Sequence, residues 1–122
     1  MSDQVGVGTS LVGADLSGCN LQGAYLNGAN MLSVKLENTI LVGVNFTGAN
    51  LCKANMSGAD LRKANLSNAN LYEANLSGAN LRGASLAGSN LGKISMQGAT
   101  YDDSTKWPLN FDPEGYGARS DG

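Results

Sequence analysis

From Leu11 to Tyr101 every fifth residue is large and apolar, and the register never slips. The positions are Leu11, Leu16, Leu21, Leu26, Met31, Leu36, Leu41, Phe46, Leu51, Met56, Leu61, Leu66, Leu71, Leu76, Leu81, Leu86, Leu91, Met96 and Tyr101. A small residue, usually Ala, lies two before each; Asn or Asp usually lies one before; Gly most often lies two after. A helix advances about 100° per residue, so a leucine every five residues would define no face. Gly inside a helix also costs on the order of 1 kcal/mol relative to Ala. A flat strand alternates faces with period two, so an odd spacing would scatter the leucines to both sides. The chain must turn once per pentapeptide, always toward the same side.

The turn chemistry sits at the matching offset. A type II turn needs positive φ at its third residue, which Gly reaches without steric cost. Gly13, Gly18, Gly23, Gly28, Gly43, Gly48, Gly58, Gly78, Gly83, Gly88 and Gly98 fill that place. Ser33, Asn38, Lys53, Lys63, Asn68, Glu73, Lys93 and Asp103 fill it elsewhere, and those turns are expected to be of another type. Four turns per twenty residues would stack side chains twenty apart, with coils joined at about 4.8 Å by backbone hydrogen bonds.

Runs such as Ala64-Asn65-Leu66-Ser67-Asn68, Ala69-Asn70-Leu71-Tyr72-Glu73 and Ala74-Asn75-Leu76-Ser77-Gly78 follow an A-(D/N)-L-x-x pattern. In this the chain resembles the pentapeptide-repeat family. The resemblance implies an all-β fold, a right-handed quadrilateral β-solenoid. Nineteen pentapeptides at four per coil make nearly five coils, a rod roughly 20–25 Å long. The expected organisation is a lead-in over 1–8, the solenoid over 9–103, and a C-terminal cap and frayed tail over 104–122.

The net charge of −2 excludes a strongly basic nucleic-acid binder. No stretch approaches the roughly 18 apolar residues of a membrane-spanning helix. Met1 to Gly8 lack the charged and apolar regions of a signal peptide, so a cytoplasmic location is expected. Of the two cysteines, Cys19 falls at the inward small position and Cys52 just after a central leucine, facing outward. Two coils separate them, about 10 Å, beyond disulfide reach, so both are expected as free thiols.

After Tyr101 the composition changes. Trp107, Pro108, Phe111, Pro113 and Tyr116 follow, with the chain's only Trp and both its prolines. Trp107, Phe111 and Tyr116 are expected to cap the last coil, whose backbone edge would otherwise invite pairing. The alternative role for Trp107 is to anchor a partner. This Trp-Pro…Phe-Asp-Pro tail is similar to those of many cyanobacterial members of the family. Ala118 to Gly122 are expected to fray. The N-terminal edge has only Met1 to Gly8 to cover it, which points to a monomer or a weak end-to-end dimer.

The outer surface sorts into columns of residues twenty apart. Val12, Leu32, Cys52, Tyr72 and Gly92 form an apolar stripe; Lys53, Glu73 and Lys93 beside it could pair charges between coils. Asn30, Asn50, Asn70 and Asn90 form an amide ladder expected to satisfy turn backbone groups. Arg62 and Arg82 stand above Asp102 with Lys63 adjacent, a small basic cluster that Asp60, Asp102 and Asp103 lie close enough to neutralise. The coil from Ala29 to Gly48 is the least regular: Val34, Thr39 and Val44 replace the small residue and should widen it locally, and Ile40 and Val42 point outward. Val12, Leu32, Cys52, Tyr72, Ile40 and Val42 are the candidate partner-binding residues, because exposed apolar patches on soluble chains often mark interfaces.

Catalysis is not expected. The chain has no His, the commonest general base and metal ligand. Its Ser residues recur as turn fillers, and its glycines obey the turn rule rather than a phosphate-loop motif. No cofactor and no metal is implied. The function expected is a non-catalytic scaffold that binds a protein partner through its outer faces, with no nucleic acid and no membrane. The alternative comes from the resemblance: some family members, the quinolone-resistance proteins among them, mimic duplex DNA and bind DNA gyrase. Mimicry needs dense negative charge, since B-DNA carries about one per 1.7 Å. Between Thr9 and Asp103, six carboxylates (Asp15, Glu37, Asp60, Glu73, Asp102, Asp103) meet six cations (Lys35, Lys53, Arg62, Lys63, Arg82, Lys93).

Overall fold

The computed structural model describes residues 6–120. Each pentapeptide ends in a turn closed by a backbone hydrogen bond from the small residue to the central one, as where Ala54 N–H donates to Leu51 O at 3.0 Å. Coils are joined by parallel bridges between residues twenty apart, from Ser10↔Asn30 to Asn80↔Thr100. Around each bridge the chain donates in both directions: Leu51 N–H to Asn70 O at 2.7 Å, and Asn70 N–H back to Ala49 O at 2.9 Å. Four turns therefore fit between bridged partners, and the central residues of successive coils lie over one another.

That stacking makes the core a ladder. The central residues from Met31 to Leu86 are all 0 % exposed, with Ala at the small position closing the wall around them. Val34, Thr39 and Val44 are buried to the same degree, and the bridges on either side of them keep the twenty-residue step. Thr39 is accommodated because its hydroxyl donates to Leu16 O at 3.2 Å.

Two expectations about the repeat are corrected. The third turn residue has positive φ from Gly8 through Gly98 whether or not it is glycine: 67–77° at the glycines and 52–60° at Ser33, Asn38, Lys53, Lys63, Asn68, Glu73 and Lys93. The ladder imposes it. Lys53 N–H must reach Tyr72 O (2.8 Å) and Lys63 N–H must reach Arg82 O (3.0 Å), so the side chain adopts a left-handed conformation that costs about 1–2 kcal/mol. Asp103 does not follow. The second correction concerns Cys19, which is exposed rather than set in the wall. It belongs to the first coil, where the small residues Thr9, Ala14 and Ala24 are also only half-buried.

Gly6 to Thr9 already form a repeat turn: Thr9 N–H donates to Gly6 O at 3.2 Å and Gly8 N–H to Asn27 O at 3.1 Å. Residues 1–5 of the expected lead-in lie outside the described residues.

At the other end the ladder continues past 103 by inserting one residue. Ser85 bridges Lys106, a step of twenty-one. The added residue is absorbed at the corner from Asp102 to Thr105, where Thr105 N–H donates to Asp102 O (3.1 Å) and the buried Thr105 hydroxyl donates to Leu81 O (2.8 Å). Trp107 thereby takes the central position that a leucine holds elsewhere. After one 3-10 turn, Glu114–Tyr116, the chain returns, and β2 (Arg119–Ser120) pairs in parallel with β1 (Thr100–Tyr101). Arg119 N–H donates to Ala99 O at 2.7 Å, and Ala118 is 5 % exposed. The expectation that the tail frays from Ala118 fails for Ala118 to Ser120, because these residues satisfy the last backbone edge.

Candidate interaction surfaces

Along the middle of the stack, where the central residues are sealed, chemistry is confined to the outward positions, one before, one after and two after each central residue. The first of these is held by an Asx turn. Asn50 Oδ1 accepts from Cys52 N–H at 3.1 Å, Asn70 Oδ1 from Tyr72 N–H at 3.1 Å, and Asn90 Oδ1 from Gly92 N–H at 2.9 Å. Asn50 Nδ2 also donates to Asn30 Oδ1 one coil away, at 3.2 Å. The amide column is thus structural: it anchors the turn beside it.

Beside that column the bridges Ser10↔Asn30, Asn30↔Asn50 and Asn50↔Asn70 bring Val12, Leu32, Cys52 and Tyr72 into one stripe. Val12 is 51 % exposed; the other three are half-buried. The Tyr72 ring lies toward Gly92, where a Cβ would meet its Cδ1 at 2.7 Å. Lys93 Nζ lies 6.0 Å from the ring centroid. Gly92 is therefore the seat of the ring, so the stripe ends on an aromatic face with a cation beside it.

Ile40 and Val42 occupy a different side, reached by the bridges Asn20↔Ile40 and Ile40↔Asp60. Ile40 is 39 % exposed and Val42 half-buried. The structure does not bring them to the stripe. One coil further on the same side, Arg62 binds Asp60 through Nε (2.8 Å) and Nη2 (2.7 Å). This paired guanidinium holds the Asp60 carboxyl below the usual range. Arg62, Lys63, Arg82, Gly83, Asp102 and Ser104 line a shallow hollow of about 310 Å³.

Trp107, Phe111 and Tyr116 come together at the C-terminal end. Tyr101 meets Trp107 edge-on at 5.4 Å, Trp107 stacks on Phe111 at 5.3 Å, and Phe111 stacks on Tyr116 at 4.9 Å. Tyr101, Trp107 and Phe111 pack against the core cluster. The Thr105 corner that seats them was missed in the sequence, although Thr105-Lys106-Trp107 repeats the small–polar–large order one residue late. At the opposite end, Leu11, Leu16 and Leu21 are only half-buried around an apolar hollow of about 340 Å³ rimmed by Gly6 and Thr9. Both cysteines are free thiols. Among the described residues, no group of His, Cys, Asp or Glu is placed to hold a metal ion, and no helix is long and apolar enough to cross a membrane.

A family model for pentapeptide repeats matches this chain in eight copies, over residues 7–32, 31–68 and 64–100. The chain belongs to the pentapeptide repeat family. Among solved structures, it is similar to a pentapeptide repeat protein from the Arabidopsis thaliana thylakoid lumen, at 32% identity and a TM-score of 0.83, covering 95% of this chain and 79% of that one. A pentapeptide repeat protein from the cyanobacterium Cyanothece 51142 is also 32% identical, with a TM-score of 0.43 over 82% of this chain and 88% of that one. No curated protein matches. Membership in the pentapeptide repeat family accounts for the ladder and the turn rule; it assigns no outward residue a role.

Proposed function

We propose that this chain is a non-catalytic scaffold, a right-handed quadrilateral solenoid of nearly five coils that presents its sides to a protein partner. The observation that carries this reading is the stripe of Val12, Leu32, Cys52 and Tyr72: four apolar side chains in one column, fixed by the backbone ladder beside them. A rigid ladder needs little ordering on binding, which favours affinity from a modest contact. The interacting unit is a monomer or a weak end-to-end dimer. A cytoplasmic setting is consistent with two free thiols, and a regulatory adaptor in a cyanobacterium is the role that the tail fits best. Among the described residues the DNA-mimic alternative is less favoured, because the carboxylates are interleaved with cations and Asp60 is held by Arg62.

The test is affinity capture from native lysate followed by titration of the purified captured protein. Wild type is compared with a Leu32→Glu/Tyr72→Glu variant of unchanged circular dichroism, and with Val42→Glu on another side. Loss of binding in the first variant alone is the expected result. Equal binding by all three, or no saturable titration, overturns the stripe as the contact.

A further inference from the structure

We propose that the partner meets the Val12 stripe with an amphipathic α-helix laid along the rod, its charges alternating in the sense opposite to Lys53, Glu73 and Lys93. This rests on the stripe as the contact and names the element that fills it.

The spacing along the rod comes first. Val12, Leu32, Cys52 and Tyr72 stand one coil apart, so three steps of about 4.8 Å carry the stripe over about 14.4 Å. A helix rises about 1.5 Å per residue, so apolar residues at i, i+3, i+7 and i+10 cover about 15 Å with the same four contacts. An extended strand returns to one face about every 6.8 Å and falls about 2 Å out of phase at each step. The stripe is commensurate with a helix and not with a strand. Tyr72 closes it: the ring leans onto Gly92, where a Cβ would meet Cδ1 at 2.7 Å and Cε1 at 3.0 Å.

Charge names the flank. Lys53, Glu73 and Lys93 follow the same step one residue on, and all three are exposed. Their turns are pinned coil to coil, with Lys53 N–H on Tyr72 O and Glu73 N–H on Gly92 O, each at 2.8 Å. Among the described residues no ion pair joins these three to each other or to another charge. Lys93 Nζ lies instead 6.0 Å from the Tyr72 ring centroid.

The row therefore reads plus, minus, plus over two steps, about 9.6 Å. Minus, plus, minus at i, i+3 and i+7 of a helix spans about 10.5 Å and meets it charge for charge. A uniformly acidic or basic partner would face at least one like charge. On the other flank Asn30, Asn50, Asn70 and Asn90 are neutral and held in Asx turns. Charge thus selects one flank, and with it the direction in which the helix runs.

The probe is a fluorescein-labelled, alanine-based peptide of twenty residues, followed by anisotropy. It carries leucine at its positions 3, 6, 10 and 13, and glutamate, lysine and glutamate at 11, 14 and 18. A second peptide exchanges the three charges, and a third has proline at position 9. Saturable binding of the first is expected, with the other two weaker by about tenfold. Lys53→Glu/Glu73→Lys/Lys93→Glu should reverse the preference between the first two peptides. Lys53→Gln and Glu73→Gln give the same comparison in smaller steps. Leu32→Glu/Tyr72→Glu should lose the first peptide with circular dichroism unchanged, and Val42→Ser, on another side, should bind as wild type. No saturable binding, or equal binding of the proline peptide, overturns the helix; the stripe still stands as the contact if Leu32→Glu/Tyr72→Glu loses the captured protein. Equal affinity for the two charge patterns overturns the charged flank. Undiminished binding by Leu32→Glu/Tyr72→Glu overturns the whole proposal.

Discussion

The two ends of the rod are built from the same pentapeptide and finish differently. At the C-terminal end Leu91 and Met96 are buried beneath Tyr101, Trp107 and Phe111, and β2 occupies the last backbone edge. At the N-terminal end Leu11, Leu16 and Leu21 are half-buried around a hollow, and among the described residues only Gly6 to Val7 and the turn to Thr9 extend beyond them. A repeat buries its central residue only when another lies on each side of it. Burial in this protein is therefore a property of position along the stack, not of residue type: leucine is 0 % exposed at Leu66 and half-buried at Leu16.

The sharpest way to break that contrast is to place one carboxylate at each location. Leu66→Asp should abolish the native circular dichroism spectrum, since an unpaired charge would enter a dry axis at a cost of several kcal/mol. Leu16→Asp should leave a folded protein with a lowered melting temperature, because water reaches that site. Equal loss in both would mean that the N-terminal end is as closed as the middle.

Next in size is the cap. Trp107→Ala should cost about 2 kcal/mol in urea denaturation, and hydrogen exchange should accelerate first at Thr100 and Arg119, where β1 and β2 pair. Uniform acceleration from Gly8 onward would show that the C-terminal end holds the whole stack rather than its own coil.

The turn position permits a finer test, with unequal effects expected. Gly58→Ala should destabilise by about 1–2 kcal/mol, because φ is +68° and the Asn38 side chain lies against the place of the new Cβ. Lys53→Gly relieves a left-handed lysine at +60° while loosening the unfolded chain, so its net effect should stay within about 1 kcal/mol. Thermal denaturation of the pair would resolve the difference.

The smallest effect concerns Tyr101, whose phenol donates to Glu114 Oε2 at 3.1 Å. Partial burial first, then the bond to this carboxylate, raises its pKa above the ordinary tyrosine value. A folded-state pKa above the unfolded one means stabilisation that is complete below about pH 10 and is lost as pH rises through the folded value. Trp107 fluorescence should report loosening of the cap in that alkaline range, and Tyr101→Phe should remove the pH dependence.

Most of the ladder was legible because period five demands one turn per repeat toward the same side, and the resemblance to pentapeptide repeats implies four such turns per coil; the stripe and the amide column follow from stacking at twenty. Three features were not legible, each for a local reason. Lys53 and Glu73 carry no chemical mark of positive φ; the coil-to-coil bonds at their amides impose it. Cys19 has the register of a wall residue and the exposure of an end residue. The pairing of Thr100 with Arg119 joins segments whose sequences share no repeat. Among the surface candidates, Ile40 and Val42 were recognised as outward and the basic cluster as charged. Their adjacency became plain only when the Ile40↔Asp60 bridge set one coil on the next.

The step of twenty between bridged residues has a consequence for how such a rod can change length. Duplicating one full circuit of twenty residues would lengthen it by about 4.8 Å and return every downstream side chain to its original bearing. Duplicating a single pentapeptide would instead rotate everything downstream by a quarter turn, carrying Arg82 away from the azimuth of Val42 and Tyr72 away from that of Leu32. The one-residue insertion before Lys106 avoids both outcomes: it widens a single corner and leaves the phase of Ser85 and Lys106 intact. Surface patterns on this protein are thus protected against circuit-length changes and scrambled by shorter ones.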